Sequence, residues 1–491
     1  MDIDNDGLIQ KFIKGGAGRE DLASLAKKTK TGAVMACLVD DEDFRSAFCA
    51  YLKNEDAKVR KNTAKFGAAL GNEKLSPILF DAFENEKTLF VRPEILKALV
   101  NSGADAYKER LSERLKDLKK ATFLPEEEKH VAEEIRILQE LFGGGSHTFT
   151  GFSGPCELLL TTLPGTEDIT AELLKDQAPK AVLGGVRVSP KKLRDVLDVR
   201  TVDEFLFLVP GFLPTEADPL RLAEAVAKSG LIIFLDRRHK EQGRPYRFRI
   251  ALNLKSEADE TAFVKKLSRE LEFRSEHRLS NSVDDYEIEL RFSERKDGKV
   301  TCLLKLFTLP DPRFAYRTKT IAKGLKPVVA ATAIAFAGEY LSPGAQVLDP
   351  FCGTGTLLTE RAKAGKVRNL YGVDIFGEAV EAARINTANA GFTANYINRD
   401  FFDFTHDHLF EEVITELPSE LKADRDDTQE LLKFYRKFLK KTPEHLTEDG
   451  TVLVLTRRKP VFEKALETAG FTTVKKCETG KTLGIYILKR K

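Results

Sequence analysis

Three changes of pattern along the chain predict a multidomain protein: a helical arm over residues 1–142, an α+β middle over 147–310 and a doubly wound α/β domain over 311–491. Before residue 142 apolar residues recur at three- and four-residue steps with little strand alternation, as amphipathic helices require. After Gly143-Gly144-Gly145, which cannot hold a helix and marks a hinge, short strand-like runs appear between helices. From 311 onward apolar strands and helices alternate in order, which feeds a mostly parallel sheet with its ligand over the strand ends. A length of 491 residues exceeds what one core organises, so two to four domains are expected.

Charge narrows the function classes little. The formal net charge is +2, from 78 basic and 76 acidic residues, so a nucleic-acid footprint must be local. The six cysteines (Cys37, Cys49, Cys156, Cys302, Cys352, Cys477) form no C-x-x-C pair, which speaks against a zinc ribbon and for no metal. Scattered single cysteines, a polar N-terminus unlike a signal peptide and no membrane-length apolar run predict a cytoplasmic protein with no membrane role.

The arm carries an internal echo. LKNEDAKVRKNTAKFGAAL (52–70) and FENEKTLFVRPEILKALVNS (83–102) both place Asn-Glu ahead of Val-Arg, at Val59-Arg60 and Val91-Arg92. A period near thirty residues suggests stacked helix pairs of the HEAT or armadillo kind. Such pairs offer a concave surface to RNA or a protein partner, with Arg60, Lys61, Lys65 and Arg92 as phosphate candidates. A solvated helical cap is the plainer alternative.

In the middle, CELLLTTL reads as a strand, Pro164-Gly165 as a turn and TEDITAELLKD as a helix with acids in its first turn. Strands AVLGGVRVS and FLFLV follow, then helix RLAEAVAKSG, strand LIIFLD and a basic stretch, RRHKEQGRPYRFRIAL. Helix 257–271 and strand DYEIELRF lead through a Lys-Asp-Gly turn into VTCLLKLFTL, a hairpin. Arg237, Arg238, Lys240, Arg244, Arg247 and Arg249, with Tyr246 and Phe248 among them, are the RNA candidates: guanidinium forks suit phosphate, and rings stack on unpaired bases. A half-buried strand with both rings in the core shows the same alternation.

The C-terminal domain opens with a helix at 325–340, and then strand QVLD runs into DPFCGTGT. Asp349 ends the strand, Gly353 and Gly355 let backbone approach a ligand, and a helix starts at Thr356 with free N–H groups. Strand LYGVD ends in Asp374, where an α/β crevice holds a ribose diol. A dinucleotide loop would need glycine three residues after Gly355, where Leu358 stands. The acid-x-x-x-G-x-G spacing instead fits S-adenosylmethionine (SAM), with an unliganded strand–turn–helix as the plain alternative. Strand ANYINRD ends in Asp400; strand EEVITEL, helix TQELLKFYRKFLKKT, strand TVLVLT, helix PVFEKALETAG and hairpin TTVKKCET…TLGIYILKR complete the domain.

DPFCGTGTLLTE, the lead-in RFAYRTKTIAKGLKPVVAA (313–331) and VDIFGEAVEAARINTANAGF resemble the SAM-dependent RNA methyltransferases that carry THUMP domains, which methylate guanosine N2 in tRNA and rRNA. T-T-x-P-G-x-E-D-x-x-A-E-L in the middle is similar to their opening strand and helix, so the resemblance implies a THUMP-like, RNA-gripping middle and a Rossmann-like class I catalytic domain. It also implies SAM held by Asp349, Pro350, Phe351, Cys352, Gly353, Thr354, Gly355, Thr356, Asp374 and Ile375, with Asp400 on the adenine amino group and Phe401 beside the ring. At the fourth strand the family reads N-P-P-Y or N-L-P-F, whose Asn and Pro carbonyl orient the target amine and whose aromatic stacks on the base. Here T-E-L-P-S stands at 415–419. Glu416, Leu417 and Pro418 are thus the catalytic candidates, and Ser419 cannot stack. Altered amino-group chemistry, another nucleophile, and a catalytically degenerate SAM- and RNA-binding assembly factor all remain open.

Overall fold

The computed structural model describes all residues except 1–2, 31–35, 121–124, 143–145, 242–243, 256–258, 323, 422–427 and 481. The three-glycine hinge lies outside the described residues. The chain divides into two compact units, one of Met1–His147, Glu241–Arg247 and Arg269–Ser282, the other of Thr148–Lys240, Phe248–Ser268 and Val283–Lys491. Among the described residues no helix is long and apolar enough to cross a membrane.

Among the described residues every element in the N-terminal part of the first unit is a helix, from Ile3–Ile13 to Pro125–Phe142. Local chemistry sets its ends. The Asp41 side chain accepts from the Asp43 and Phe44 amides ahead of helix Glu42–Leu52, and Asp56 does the same for Lys58 ahead of Ala57–Leu70. Gly71, at φ 54°, closes the latter helix in the left-handed conformation. One face of each helix enters a shared core, where the Phe12 ring lies 5.1 Å from Phe44 and 5.5 Å from Phe66.

The echoed Val-Arg pairs have a structural reading. Val59 and Val91 are buried, and each following arginine reaches a carboxylate on a later segment. Arg60 Nε lies 2.7 Å from Glu86 Oε2, and Arg92 Nε lies 3.1 Å from Glu134 Oε2. Arg92 also donates to the Phe83 and Glu86 carbonyls at 3.0 and 2.6 Å. Lys61 and Lys65 face Glu94 at 3.6 and 3.8 Å. The four cations put forward for phosphate therefore meet acids of their own arm, and Arg60 and Arg92 are braces between helices.

In the second unit, strands β1 (Leu158–Thr161), β2 (Lys180–Val182), β3 (Gly185–Val188), β4 (Phe205–Leu208), β5 (Tyr246–Asn253, in this unit from Phe248 on), β7 (Ile288–Glu294) and β8 (Val300–Leu306) form a mixed sheet in the order β2–β3–β1–β4–β8–β7–β5. The short β6 (Leu279–Asn281) belongs to the first unit. LIIFLD, expected as a strand, is a helix, Leu231–Asp236. Leu231 and Leu235 are buried four residues apart while Ile233 between them is 60% exposed, a helical face that a six-residue apolar run cannot announce.

The second sheet holds β9 (Ala345–Asp349), β10 (Val367–Asp374), β11 (Asn395–Asn398), β12 (Phe410–Glu416), β13 (Leu446–Thr456), β14 (Phe471–Thr479) and β15 (Leu483–Arg490) in the order β11–β10–β9–β12–β13–β15–β14. The first five run parallel, and β15 pairs antiparallel with both β13 and β14. β9 is buried along its whole length, as a central parallel strand must be. The order reverses between β9 and β12, which opens a crevice beyond their carboxyl ends.

Candidate functional site

The crevice is floored by the loop after β9. Gly353 and Gly355 have φ 50° and 75°, a region that costs any side-chain-bearing residue. They differ in surroundings: a Cβ on Gly353 would meet nothing within 4 Å, while one on Gly355 would strike the Tyr396 hydroxyl. Tyr396 is buried, its hydroxyl 2.7 Å from Thr387 Oγ1, and it also fills the space over Gly372. Asn386, fully buried in helix Gly377–Asn389, donates to the Thr354 carbonyl at 3.2 Å. It also accepts from the Lys319 amide and donates to the Lys319 carbonyl at 3.0 and 2.9 Å. The asparagine of the A-R-I-N run thus ties the loop to the lead-in segment.

Asp374 ends β10 beside this loop. One carboxylate oxygen accepts from the Gly353 amide and the other from the Phe376 amide, each at 2.9 Å. Next to it Ile375 and Phe376 are 59% and 66% exposed, an uncovered apolar surface suited to a flat ring. Asp349 is buried at the end of β9 and accepts from the Phe351 amide at 3.2 Å. Burial pushes its carboxyl up to about 7, against the Thr415 hydroxyl and the Phe351 N–H and together with the Asp374 and Glu416 carboxylates. Thr415 Oγ1 is buried, and no partner meets it at full hydrogen-bond geometry. A left-handed glycine with open space above it, an acid at the next strand end and a buried acid short of positive charge fit a sulfonium nucleoside with an ammonium group.

The remaining cofactor candidates divide. Pro350, Cys352, Thr354 and Thr356 turn buried side chains inward and can offer backbone alone. Phe351 is half-buried against Phe434, ring centres 5.4 Å apart. Asp400 is exposed and caps the following turn through the Phe402 amide at 2.9 Å. Phe401 is 1% exposed, packed among Phe351, Phe438 and His445. It is a core residue and has no face for a ligand, so its expected place beside an adenine ring is corrected; Phe402 is the half-buried ring of the pair.

Across the crevice, β12 ends in Glu416. Its side chain is 20% exposed and Arg457, just past β13, stands 3.2 Å away. Burial raises the Glu416 carboxyl above its ordinary range while Arg457 opposes the rise. Leu417 is buried and donates its amide to Leu455 at 2.9 Å. The Pro418 carbonyl accepts from the buried Tyr435 hydroxyl at 2.8 Å. Arg457 and Tyr435 were not foreseen. A polar residue right after the apolar run TVLVLT, a strand end on the same side as Asp349, signals the first; nothing in the helix pattern signals the second.

The basic stretch is divided between the units, with Arg237, Arg238 and Lys240 in one and Arg244 and Arg247 in the other. Arg237 and Lys240 are exposed. Arg238 is buried, its guanidinium donating to the Gly151 and Pro155 carbonyls at 2.7 Å each, so it braces the fold and leaves the RNA set. Tyr246 and Phe248 are fully buried and cannot stack on bases. Arg249 pairs with Glu289 at 2.6 Å. Arg244 is half-buried, and Arg247 reaches Ser146 Oγ at 3.2 Å.

A cavity of about 560 Å³ lies elsewhere, between Leu173, Val199, Ile334 and Gly365, at the far end of the helix Thr356–Ala364 that the loop opens. Among the described residues no cluster of three or more His, Cys, Asp or Glu could hold a metal ion.

Residues 315–483 match the family profile of the RMKL-like methyltransferase domain, UPF0020. Over these residues the chain is similar to a methyltransferase domain, and the donor that this similarity implies is SAM. The chain is 34% identical over 110 residues to the tRNA (guanine(10)-N2)-dimethyltransferase of Methanothermobacter thermautotrophicus, a stretch of 22% of this chain and 32% of that protein. The alignment thus spans about a third of that relative's length. In fold it is similar to TrmN from Thermus thermophilus (TM-score 0.54, 20% identity, 68% of this chain and 99% of that one). It is equally similar to SMU.472 complexed with SAH (TM-score 0.54, 17% identity, 69% and 99%).

Proposed function

We propose that this chain is a SAM-dependent RNA methyltransferase that modifies a base amino group, guanosine N2, in tRNA or rRNA. The observation that carries the reading is the pairing of two strand ends across one crevice. On one side stand the open Gly353 and Asp374; on the other, Glu416 and the fixed Pro418 carbonyl. In this reading Asp374 takes the ribose diol, Ile375 backs the adenine, and Asp349 faces the methionine ammonium. Asp400 is the candidate for the adenine amino group. SAM bound there would supply a methyl group on a positively charged sulfur. Glu416 and Pro418 hold the amino nitrogen so that its lone pair faces that carbon. Catalysis is then chiefly proximity and alignment.

The domain reading belongs to the same proposal: HEAT-like repeats over 1–142 as a scaffold for RNA or a protein partner, a THUMP-like RNA-binding region over 147–310, and the class I methyltransferase domain over 311–491, in a cytoplasmic protein. Arg237 and Lys240, with Arg244 and Arg247, are its RNA contacts. The relative that acts on guanine N2 of tRNA supports the substrate.

One observation favours a second reading. Ser419 offers no ring to stack on a base, as a SAM-binding assembly factor without catalysis would show. The experiment is methyl transfer from radiolabelled SAM to total tRNA and rRNA, with the labelled nucleoside identified. Labelled N2-methylguanosine supports the first reading. SAM binding with no label in any RNA supports the second.

A further inference from the structure

We infer that Arg457 holds a phosphate of the RNA backbone beside the target nucleotide, its guanidinium reaching outward from the crevice rim while its inner nitrogen pairs with Glu416. The inference rests on the RNA methyltransferase reading and adds the group that lets a polyanion approach this crevice.

The argument begins with charge at the strand ends. Asp374, Asp349 and Glu416 close β10, β9 and β12, which are neighbours in the sheet. Their crowding shows at Asp349, whose carboxyl is pushed up to about 7 by burial, with the Asp374 and Glu416 carboxylates acting in the same direction. Such a site suits a cation, and SAM brings a sulfonium and an ammonium. A nucleotide within an RNA chain brings a phosphate on each side instead. Like charges repel most where protein walls keep screening water out. The acceptor side of the crevice therefore needs a cation at its rim.

Three cations follow β13 in succession: Arg457, Arg458 and Lys459. Two of them are committed elsewhere. Arg458 Nη2 reaches Thr428 Oγ1 at 3.3 Å, and Lys459 Nζ pairs with Glu478 at 2.5 Å. Arg457 differs. Its Nε stands 3.2 Å from Glu416 Oε1, and its side chain is still 46% exposed. Among the described residues Glu416 is the one partner of its guanidinium. A guanidinium carries five N–H donors in a planar fork, so a contact through Nε leaves the terminal nitrogens for a second anion. Two phosphate oxygens match that fork with parallel bonds. The root of Arg457 is fixed as well, because the Leu417 amide bonds to the Leu455 carbonyl and ties the ends of β12 and β13 together. Arg399 is also exposed at a strand end, but it follows β11, four strands across the sheet and about 19 Å away at about 4.8 Å per strand. Arg457 stands beside Glu416, where the reading places the acceptor base.

The test uses the full chain, SAM and the RNA in which the labelled nucleoside is found, made with an uncharged methylphosphonate directly 5′ or directly 3′ of that nucleoside. For the wild type the expected result is a fall in kcat/KM of about tenfold or more with one of the two, chiefly through KM. Arg457→Met is expected to be slower on the all-phosphate RNA by a similar factor and indifferent to either methylphosphonate, with SAM affinity in calorimetry unchanged. Arg457→Gln, which keeps a hydrogen bond for Glu416, is expected to match it. Were Arg457 there only to neutralise Glu416, both variants would lose rate yet keep the wild-type sensitivity to methylphosphonate. Wild-type indifference to both modified RNAs, or equal sensitivity in the wild type and either variant, overturns the inference and leaves methyl transfer standing. Loss of SAM binding in both variants also overturns it, because Arg457 would then belong to the fold or to the cofactor site. No transfer to any RNA overturns the functional reading beneath it.

Discussion

At the scale of single residues, the two loop glycines separate what a ligand needs from what the fold needs. Gly355→Ala puts a methyl group into the Tyr396 hydroxyl and should lower stability by about 1–3 kcal/mol in denaturant unfolding. Gly353→Ala adds a methyl group in open space and should cost only the left-handed backbone, about 1–2 kcal/mol, while weakening SAM binding in calorimetry. Asp349 makes a pH prediction. Its folded carboxyl sits near 7 against an ordinary 3.8, so the folded state holds the proton more tightly than the unfolded chain. The stability it contributes is complete below 3.8 and lost as pH rises through about 7. Unfolding of the SAM-free chain should show that loss, and Asp349→Asn should flatten it. The glycine loop was legible because positive φ leaves a residue-type signature. Phe401 was misplaced because an aromatic after an acid reads the same whether its ring turns inward or toward a ligand. Arg238 was indistinguishable from Arg237 for a like reason: charge in a sequence does not say which cation meets carbonyls.

At the scale of elements, the crevice depends on pieces held together from behind. Arg361, on the helix that opens at the loop, meets Glu412 of β12 through Nε and Nη2 at 2.7 and 2.9 Å, both residues nearly fully buried. Glu412 also accepts from the Ser342 amide at 2.7 Å. This pair joins the helix behind Gly355 to the strand that ends in Glu416. Removing one partner strands a buried charge, so Arg361→Ala should cost about 3–5 kcal/mol of stability, measured by denaturant unfolding. The strand succession of the last domain was legible because parallel strands run apolar throughout and helices do not. The pairing of Arg361 with Glu412 was not, since residues 51 apart in sequence share no periodic signal. Helix Leu231–Asp236 was missed because six apolar residues are too few to show a period.

At the scale of the molecule, the chain carries a first unit whose N-terminal part is helical and a second unit with two mixed sheets, and on the proposed reading its near-neutral total charge leaves RNA attraction to local cations. RNA affinity should therefore fall with salt, and Arg237→Ala and Lys240→Ala should each reduce the slope of log K against log salt by about one. Arg238→Ala, by contrast, should reduce stability, because its guanidinium serves two carbonyls. The helical N-terminal region was legible from the change of period near 142, whereas the division of the basic stretch between two units depends on contacts far apart in sequence. The most direct test of the central claim is a calorimetric titration of SAM into the full chain and into Asp374→Ala. A single SAM site in the wild type, weakened tenfold or more by the substitution while circular dichroism is unchanged, is the predicted result. No SAM binding by the folded wild type, or equal affinity in both proteins, would contradict it.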